Sequence, residues 1–190
     1  MATARKFSTV VNGVMVDDLV DTIEAVKATP AIAKFKFSVK NEWQGGSRNC
    51  STARSFYGAT QSQSHPKPFV LQADEPTILL GKDTAANPVE HLLHALASCL
   101  TTSMVYHAAA RGIHIQEIES SLEGDIDLHG FLDLDAKVRK GYQGIRVNFK
   151  IKADAPDEQL QQIAKLGSGY SPVFDSVTNG VPVSITAERM

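Results

Sequence analysis

Apolar and polar residues alternate along this chain with two different periods, which predict helices in some segments and strands in others. Residues 17–28 place apolar side chains three or four positions apart, and this spacing predicts a helix that ends before Pro30. Residues 33–40 alternate between apolar side chains and lysine or serine, so we expect a half-buried strand. Residues 49–57 follow a glycine-rich turn and predict a second strand, which would form a hairpin with the first and place Arg48 near its tip.

Between and beyond these segments the pattern predicts shorter elements of both kinds. They are a polar loop over residues 59–68, strands over residues 69–71, 77–80, 113–128, 145–151 and 181–185, and a helix over residues 157–166. Gly167-Ser168-Gly169 is expected to break this last helix, and Ser171-Pro172 to begin a further helical turn.

The longest apolar stretch, residues 87–111, predicts a central helix with clear start and stop signals. Asn87 suits the N-cap, Pro88 suits the first helical position, and Glu90 completes a capping box. Gly112 follows the last turn and favours a helix end there. Because the helix is apolar almost all round, we expect it to be buried by a sheet or by a partner subunit.

Size and composition, together with the predicted helices and strands, indicate a single α+β domain. The 190 residues are 43% hydrophobic and 21% charged, as in a globular protein. Residues 31–190 suffice for a core, so residues 1–30 are expected to form a helical extension. The formal net charge of −2 gives no reason to expect nucleic acid or an anionic membrane as a partner. With neither a membrane-span pattern nor a recognisable secretory signal, the expected location is the cytoplasm.

The chain has two cysteines, Cys50 and Cys99, which we expect to be reduced thiols. A free thiol titrates at about 8.5 and must be deprotonated to act as a nucleophile. Cys99 lies about three turns into the central helix, beyond the useful reach of the helix dipole, and burial would raise its pKa. A reactive Cys99 therefore requires a cation from elsewhere in the fold. Without a cation, Cys99 is a small apolar residue in a helix contact.

No metal or cofactor site is predicted. His91 and His94 share a helical face, but the sequence places no third ligand beside them. No phosphate-binding loop or dinucleotide-binding glycine pattern is present. Glu123, Asp125 and Asp127 alternate along a predicted strand, and this pattern favours a solvated face over a cation site.

Residues 87–100, NPVEHLLHALASCL, resemble the central-helix motif of the OsmC/Ohr family of osmotically inducible and organic-hydroperoxide-resistance proteins. The resemblance extends over residues 33–188 and includes Ser171-Pro172 before the last predicted strand. It implies an α+β fold in which curved antiparallel sheets surround long central helices in an intertwined homodimer. It also implies reduction of organic hydroperoxides by a pair of cysteines.

The resemblance assigns roles to individual residues. Cys99 matches the peroxidatic cysteine, and Arg48 matches the hairpin arginine that activates it, with Arg54 as the alternative. The family's glutamate directly follows the helix-starting proline, where this chain has Val89, so Glu90 is the nearest candidate for that role.

The second, resolving cysteine of the family is missing. The chain has Ser171 at that position, and a hydroxyl group cannot form a disulfide. Cys50 remains as a possible second thiol, two residues beyond Arg48.

Three functions follow from these assignments. The first is reduction of a hydrophobic hydroperoxide by Cys99 alone, with an external thiol as reductant. The second is binding of a small apolar ligand at the dimer interface without catalysis. The third is redox sensing through a Cys50–Cys99 disulfide.

Overall fold

The computed structural model describes residues 9–190 as two compact units. The first unit contains residues 9–10 and 15–92, and the second contains residues 11–14 and 93–190. The predicted extension, residues 1–30, lies partly outside the described residues, and its separateness from the rest of the chain stays a prediction. Short strands β1 (Val10–Val11) and β2 (Val14–Met15) lie where the chain passes between the units.

The first unit is a helix followed by an antiparallel sheet. Its elements are α1 (Val16–Ala28), a 3₁₀ turn (Pro30–Ala33), β3 (Lys36–Phe37), β4 (Lys40–Trp43), β5 (Asn49–Gly58) and β6 (Gln61–Ala73). Strand β5 is central, with β6 on one side and both β3 and β4 on the other. The predicted first helix and second strand are confirmed, and so is the hairpin, because Trp43 pairs with Asn49 across its turn.

Three predictions in the first unit are wrong. The single strand over residues 33–40 is two strands, because β5 carries an irregularity between Ala53 and Ser55 that the neighbouring chain must follow. Residues 61–68 of the predicted polar loop belong instead to β6, whose polar and proline-containing sequence is tolerated at a sheet edge. Residues 77–80 form a 3₁₀ turn (Thr77–Leu79) after Pro76, not a strand.

The central helix, α2 (Pro88–Ala109), confirms the main sequence prediction. Within the chain it is buried along one stripe, whose members recur every four residues: Leu96, Leu100, Met104 and Ala108. Other apolar side chains remain open, with Leu92 38% exposed and Tyr106 47% exposed. The described chain therefore covers only part of a helix that is apolar almost all round.

The second unit pairs two strands and packs two helices. Its elements after α2 are β7 (Ile115–Asp125), α3 (Leu128–Phe131), β8 (Gly144–Ala153), α4 (Asp157–Tyr170) and α5 (Pro172–Asn179). β7 and β8 form an antiparallel pair, and β8 confirms the strand predicted over residues 145–151. The strand predicted over residues 113–128 stops earlier, because Asp127 caps α3 by accepting a hydrogen bond from the His129 amide.

Gly167-Ser168-Gly169 does not break the helix as predicted, because α4 continues to Tyr170. Gly167 is buried against α2, where a Cβ atom would lie 3.0 Å from the Leu100 carbonyl oxygen and 3.4 Å from Met104 Cε. This glycine therefore allows two helix backbones to approach closely, and it is not a stop signal.

The final strand predicted over residues 181–185 is also wrong for the described chain, which has no strand there. Val181, Val183 and Ile185 are 59%, 78% and 89% exposed, although their spacing is that of a half-buried strand. A strand needs a pairing partner as well as an alternating pattern, and this segment pairs with no strand of residues 9–190.

Candidate functional site

The start of α2 is fixed by the capping box that the sequence predicts. The Glu90 amide donates to Asn87 Oδ1 at 2.8 Å, and the Asn87 amide donates to Glu90 Oε2 at 2.8 Å. Two helix N–H groups that would otherwise lack partners are thereby satisfied. The Glu90 carboxylate is thus engaged in holding the helix start, and its catalytic role stays a prediction.

Cys99 lies in the middle of α2, half-buried, as a free thiol. The neighbouring Leu96 and Leu100 are each 3% exposed and belong to the buried stripe of the helix. A residue one position from Leu100 and three from Leu96 stands at the flank of that stripe. Cys99 therefore combines an apolar surrounding with partial access from outside the chain.

Ser171, which the resemblance in the sequence places at the resolving-cysteine position, is almost fully buried and serves as the N-cap of α5. Its Oγ accepts a hydrogen bond from the Phe174 amide at 3.1 Å. The carbonyl oxygen of the adjoining residue Tyr170 accepts a hydrogen bond from Ser103 Oγ at 3.3 Å. This bond connects the junction between α4 and α5 to α2, one turn beyond Cys99. The structure thus brings the position of Ser171 close to the part of α2 that carries the thiol.

The junction between α4 and α5 also contains a stacked pair of rings, His107 and Tyr170. The His107 and Tyr170 rings lie 3.7 Å apart between centroids, and the Arg111 guanidinium donates to the His107 carbonyl oxygen at 2.7 Å. Burial lowers the pKa of His107, and the charge of Arg111 lowers it further. His107 is therefore held neutral in a packing contact.

A shallow open cavity of about 440 Å³ lies beside Ser171. Its lining is mostly small and polar: Ser168, Gly169, Tyr170, Ser171, Pro172, Phe174, Asp175, Thr178 and Asn179. An apolar ligand would gain little from such a lining, because buried apolar area is the main source of its affinity.

Arg48 lies at the end of the β4–β5 turn and is half-buried. The turn is closed by its backbone, since the Gln44 amide donates to the Arg48 carbonyl at 2.9 Å and Gly45 and Gly46 adopt positive φ angles. None of the carboxylates within residues 9–190 forms an ion pair with Arg48. Arg54, the alternative, is exposed on β5 at the strand irregularity.

Cys50, the possible second thiol, lies on β5 opposite Glu42 of β4 and Gln72 of β6. It is half-buried and free, as is Cys99. Its pairing with Cys99 stays a prediction.

The residue that sequence reasoning missed is Asp74, which is fully buried. Its carboxylate accepts five hydrogen bonds, from Ser47 Oγ at 2.6 Å, the Glu75 amide, the Lys82 amide, and both the amide and Oγ1 of Thr84. These bonds hold the pKa of Asp74 well below its usual range, and the Ser47 hydroxyl contributes most. No local pattern reveals this site, because Ser47 and Thr84 lie 27 and 10 residues away.

Stability should depend on this carboxylate in acid. The folded-state pKa of Asp74 is lowered relative to the unfolded chain, so the ionised group stabilises the fold fully above the unfolded value of about 3.9. That contribution is lost as the pH falls through the folded-state value. We expect urea unfolding to show a constant advantage of wild type over Asp74→Asn above about pH 5 and a shrinking advantage below about pH 4. An advantage independent of pH would contradict this.

Glu123 and Asp125 of β7 form a solvated face, as predicted, whereas Asp127 lies beyond the strand and caps α3. Arg146 on β8 donates from Nε to Glu123 Oε1 at 2.7 Å and also binds Asp125, and all three side chains are exposed. Exposed ion pairs of this kind contribute little to stability. Across residues 9–190, no group of three or more histidine, cysteine, aspartate or glutamate side chains is arranged to hold a metal ion. None of the described helices combines the length and apolar character needed to span a bilayer.

Comparison with known proteins places these features in one family. The family model described as OsmC-like protein matches residues 81–186, which is more than half of the chain and includes Cys99 and Ser171. No curated protein matches the sequence.

Solved structures share the fold at low sequence identity. A putative osmotic stress induced and detoxification response protein from Psychrobacter arcticus has a TM-score of 0.56 and 17% identity, over 75% of this chain and 88% of that one. An OsmC-like protein from Mycoplasma pneumoniae has a TM-score of 0.56 and 16% identity, over 75% and 86%. The organic hydroperoxide resistance protein OsmC from Legionella pneumophila has a TM-score of 0.52 and 14% identity, over 75% and 90%. The predicted α+β fold of this type is therefore confirmed.

Proposed function

Because this chain belongs to the OsmC-like protein family, we propose that it reduces organic hydroperoxides with Cys99 as the reactive thiol. The observation that carries the proposal is the free, half-buried thiol of Cys99 at the centre of the family-matched helix. The similar protein from Legionella pneumophila is described as an organic hydroperoxide resistance protein. That description supports a peroxide substrate in general terms.

The chemistry begins with attack of the Cys99 thiolate on the distal oxygen of the hydroperoxide. The O–O bond breaks, the sulfur is oxidised to a sulfenic acid, and the alkoxide takes up a proton to leave as an alcohol. A first external thiol then condenses with the sulfenic acid to give a mixed disulfide and water. A second thiol releases Cys99 as a thiol and leaves as the disulfide of the reductant.

The cycle is of the one-cysteine kind in this proposal. Ser171 cannot form a disulfide, and its hydroxyl group already caps α5. A dithiol reductant from outside the chain therefore completes each turnover. We assign Glu90 to the helix start, where both of its capping-box hydrogen bonds are made.

Arg48 is our candidate for the cation that the thiolate requires. A guanidinium remains charged at every relevant pH and stabilises both a thiolate and the developing alkoxide. The support for this role is that Arg48 has no carboxylate partner within residues 9–190. Its charge is therefore available to another anion.

The active form in this proposal is a homodimer, and the hydrophobic substrate binds where the two copies meet. Two features support a homodimer. Apolar side chains of α2 are exposed in the single chain, and the alternating segment of residues 181–185 is unpaired. A second copy would bury both. Sedimentation equilibrium should give twice the 20.5 kDa chain mass at micromolar concentration, and a monomer there would contradict the dimer.

The direct test of the function is mass spectrometry after one equivalent of cumene hydroperoxide. With dimedone present, the peptide of residues 83–111 should gain the sulfenic-acid adduct at Cys99, and cumyl alcohol should appear in equal amount. Trypsin separates the two cysteines, because Cys50 lies in a different peptide. A Cys99 that stays a free thiol in the folded protein would refute the proposal.

A further inference from the structure

We propose that His107, Arg111 and Tyr170 form a pH-sensitive latch, which holds the junction between α4 and α5 on the end of α2 at neutral pH and releases it in acid. The junction consists of Tyr170, the last residue of α4, and Ser171, the cap of α5. All four residues belong to the second unit. The latch is independent of the peroxide chemistry proposed above.

The latch is a contact between two rings that come from different helices. The His107 ring on α2 and the Tyr170 ring on α4 lie 3.7 Å apart between centroids and are inclined by 16°. One turn earlier on α2, Ser103 Oγ donates to the Tyr170 carbonyl oxygen at 3.3 Å. Gly167 brings the same part of α4 close to the Leu100 carbonyl. The stacked rings therefore fasten the last residue of α4 to α2.

Arg111 makes the neutral form of His107 the one that fits this contact. Its Nη1 donates to the His107 carbonyl oxygen at 2.7 Å and lies 3.4 Å from His107 Nδ1. A neutral imidazole can accept a hydrogen bond at Nδ1, whereas a protonated imidazole carries N–H groups on both ring nitrogens and accepts none. Protonation would also place two positive charges side by side. Burial and the charge of Arg111 accordingly lower the pKa of His107.

A second positive charge at this contact would not be compensated by a carboxylate. Within residues 9–190, neither His107 nor Arg111 forms an ion pair, and the groups that contact the His107 ring are Arg111 and Tyr170. The face of the Tyr170 ring would attract an imidazolium, but the Arg111 guanidinium already lies over it, 6.0 Å from its centroid. The carbonyl groups at the end of α2 also favour a cation, and Arg111 already fills that role. Protonated His107 is therefore better accommodated away from the junction.

Release of Tyr170 would affect the residues that follow it. Ser171 is only 3% exposed, and its Oγ accepts a hydrogen bond from the Phe174 amide in the first turn of α5. The Asp175 amide donates to the Ser171 carbonyl at 3.0 Å. These residues also line the cavity beside Ser171. We therefore expect acid to loosen the start of α5 and to open the buried position 171 to solvent.

The test is hydrogen exchange measured by mass spectrometry on a peptide covering residues 171–179, at pH 7.5 and pH 5. Each rate is divided by the intrinsic rate at that pH. The latched imidazole has the lower pKa, so the latch is fully stable above the pKa of a free histidine, about 6.5, and weakens as the pH falls below it. Opening of the wild-type segment should increase by about threefold at pH 5, because the released imidazole takes up a proton that the latched one excludes.

Four variants separate the latch from general acid effects. His107→Phe keeps a ring that can stack on Tyr170 but cannot be protonated, so opening should be equal at both pH values. Arg111→Gln removes the opposing charge and should reduce the acid effect. Ser103→Ala loses its hydrogen bond to Tyr170 and should raise opening equally at both pH values, because serine does not titrate. His94→Phe, at an exposed histidine of the same helix, is the matched control and should behave as wild type.

Titration of the His107 ring by NMR provides a second measurement that does not depend on His107→Phe folding normally. The pKa of His107 should lie below that of a free histidine and should rise in Arg111→Gln. The latch is refuted if wild-type opening is the same at pH 7.5 and pH 5, if the acid effect persists in His107→Phe, or if Arg111→Gln leaves the His107 titration unchanged. None of these measurements uses peroxide turnover, so their outcome and that of the proposed function are separate.

Discussion

Replacing Cys99 by serine is expected to lower kcat/KM for cumene hydroperoxide by more than about a thousandfold, because a hydroxyl is a far weaker nucleophile than a thiolate. The fold should tolerate the change, since Cys99 is half-buried and serine is nearly the same size. The melting temperature should therefore stay within a few degrees. The measurement is peroxide consumption with dithiothreitol as reductant, at several substrate concentrations so that kcat and KM are separated.

The matched control is Ser98→Ala, at the neighbouring exposed position of the same helix. Ser98 donates only to the His94 carbonyl, as serines within helices often do, and its removal should leave turnover unchanged. Equal losses of kcat/KM in both variants would mean that activity depends on the packing of the helix and not on the thiol.

The same series distinguishes the other two functions. A protein that only binds an apolar ligand would keep equal affinity in Cys99→Ser, and it would show no peroxide turnover in either form. A sensor that uses a Cys50–Cys99 disulfide would lose its two free thiols on mild oxidation, and Cys50→Ser would abolish that loss. Retained turnover in Cys50→Ser supports the one-cysteine cycle.

The central helix was predictable because its signals are local. Asn87, Pro88 and Glu90 lie within four residues of one another, and the capping box forms as their spacing indicates. The alternation in β8 is local as well, and the strand forms where this pattern indicates. Cys99 could be singled out for the same reason, as one residue in a short and specific motif.

What the sequence could not reveal depends on contacts that are remote along the chain. Asp74 is conspicuous only when Ser47 and Thr84 are placed around it. Gly167 has the composition of a helix breaker, yet it serves close packing against Leu100. β6 is a strand because it pairs with β5, and residues 181–185 are not a strand within the described chain because they pair with no other segment of it.

The departures from the two-cysteine pattern have a common structural consequence. By the resemblance in the sequence, Val89 stands where the family has a glutamate, and Ser171, which caps α5, stands where the family has the resolving thiol. Glu90 performs the capping that the sequence predicts, so neither position retains a reactive group. The chemistry proposed for this chain is therefore concentrated on one thiol and one arginine.

Ser171→Cys is expected to convert the one-cysteine cycle into an internal disulfide cycle. The sulfenic acid at Cys99 would condense with the introduced thiol, release water and form a disulfide. Position 171 adjoins Tyr170, which is bonded to Ser103, and Cys99 lies one turn before Ser103, about 6 Å along the helix. Disulfides span Cα separations of about 4.4–6.8 Å, so formation of this link requires the two positions to come within that range.

The readout is the number of free thiols after one equivalent of hydroperoxide, which should fall from three to one in Ser171→Cys. A peptide joining residues 99 and 171 should appear, and overoxidation of Cys99 by excess peroxide should decrease. Loss of the α5 cap should cost about 1 kcal/mol, so stability is measured alongside. Ser176→Cys, an exposed site on the same helix, is the control and should form no such link.

A reading of two free thiols and a persistent sulfenic acid at Cys99 in Ser171→Cys, under conditions where wild type forms the dimedone adduct, would contradict this placement of the two positions. If instead the disulfide forms and turnover with a monothiol reductant rises, resolution was the limiting step in the native chain. Native Ser171 would then favour a longer-lived sulfenic acid, which a thiol from another molecule must find. That outcome would connect one buried hydroxyl group to the choice of reductant.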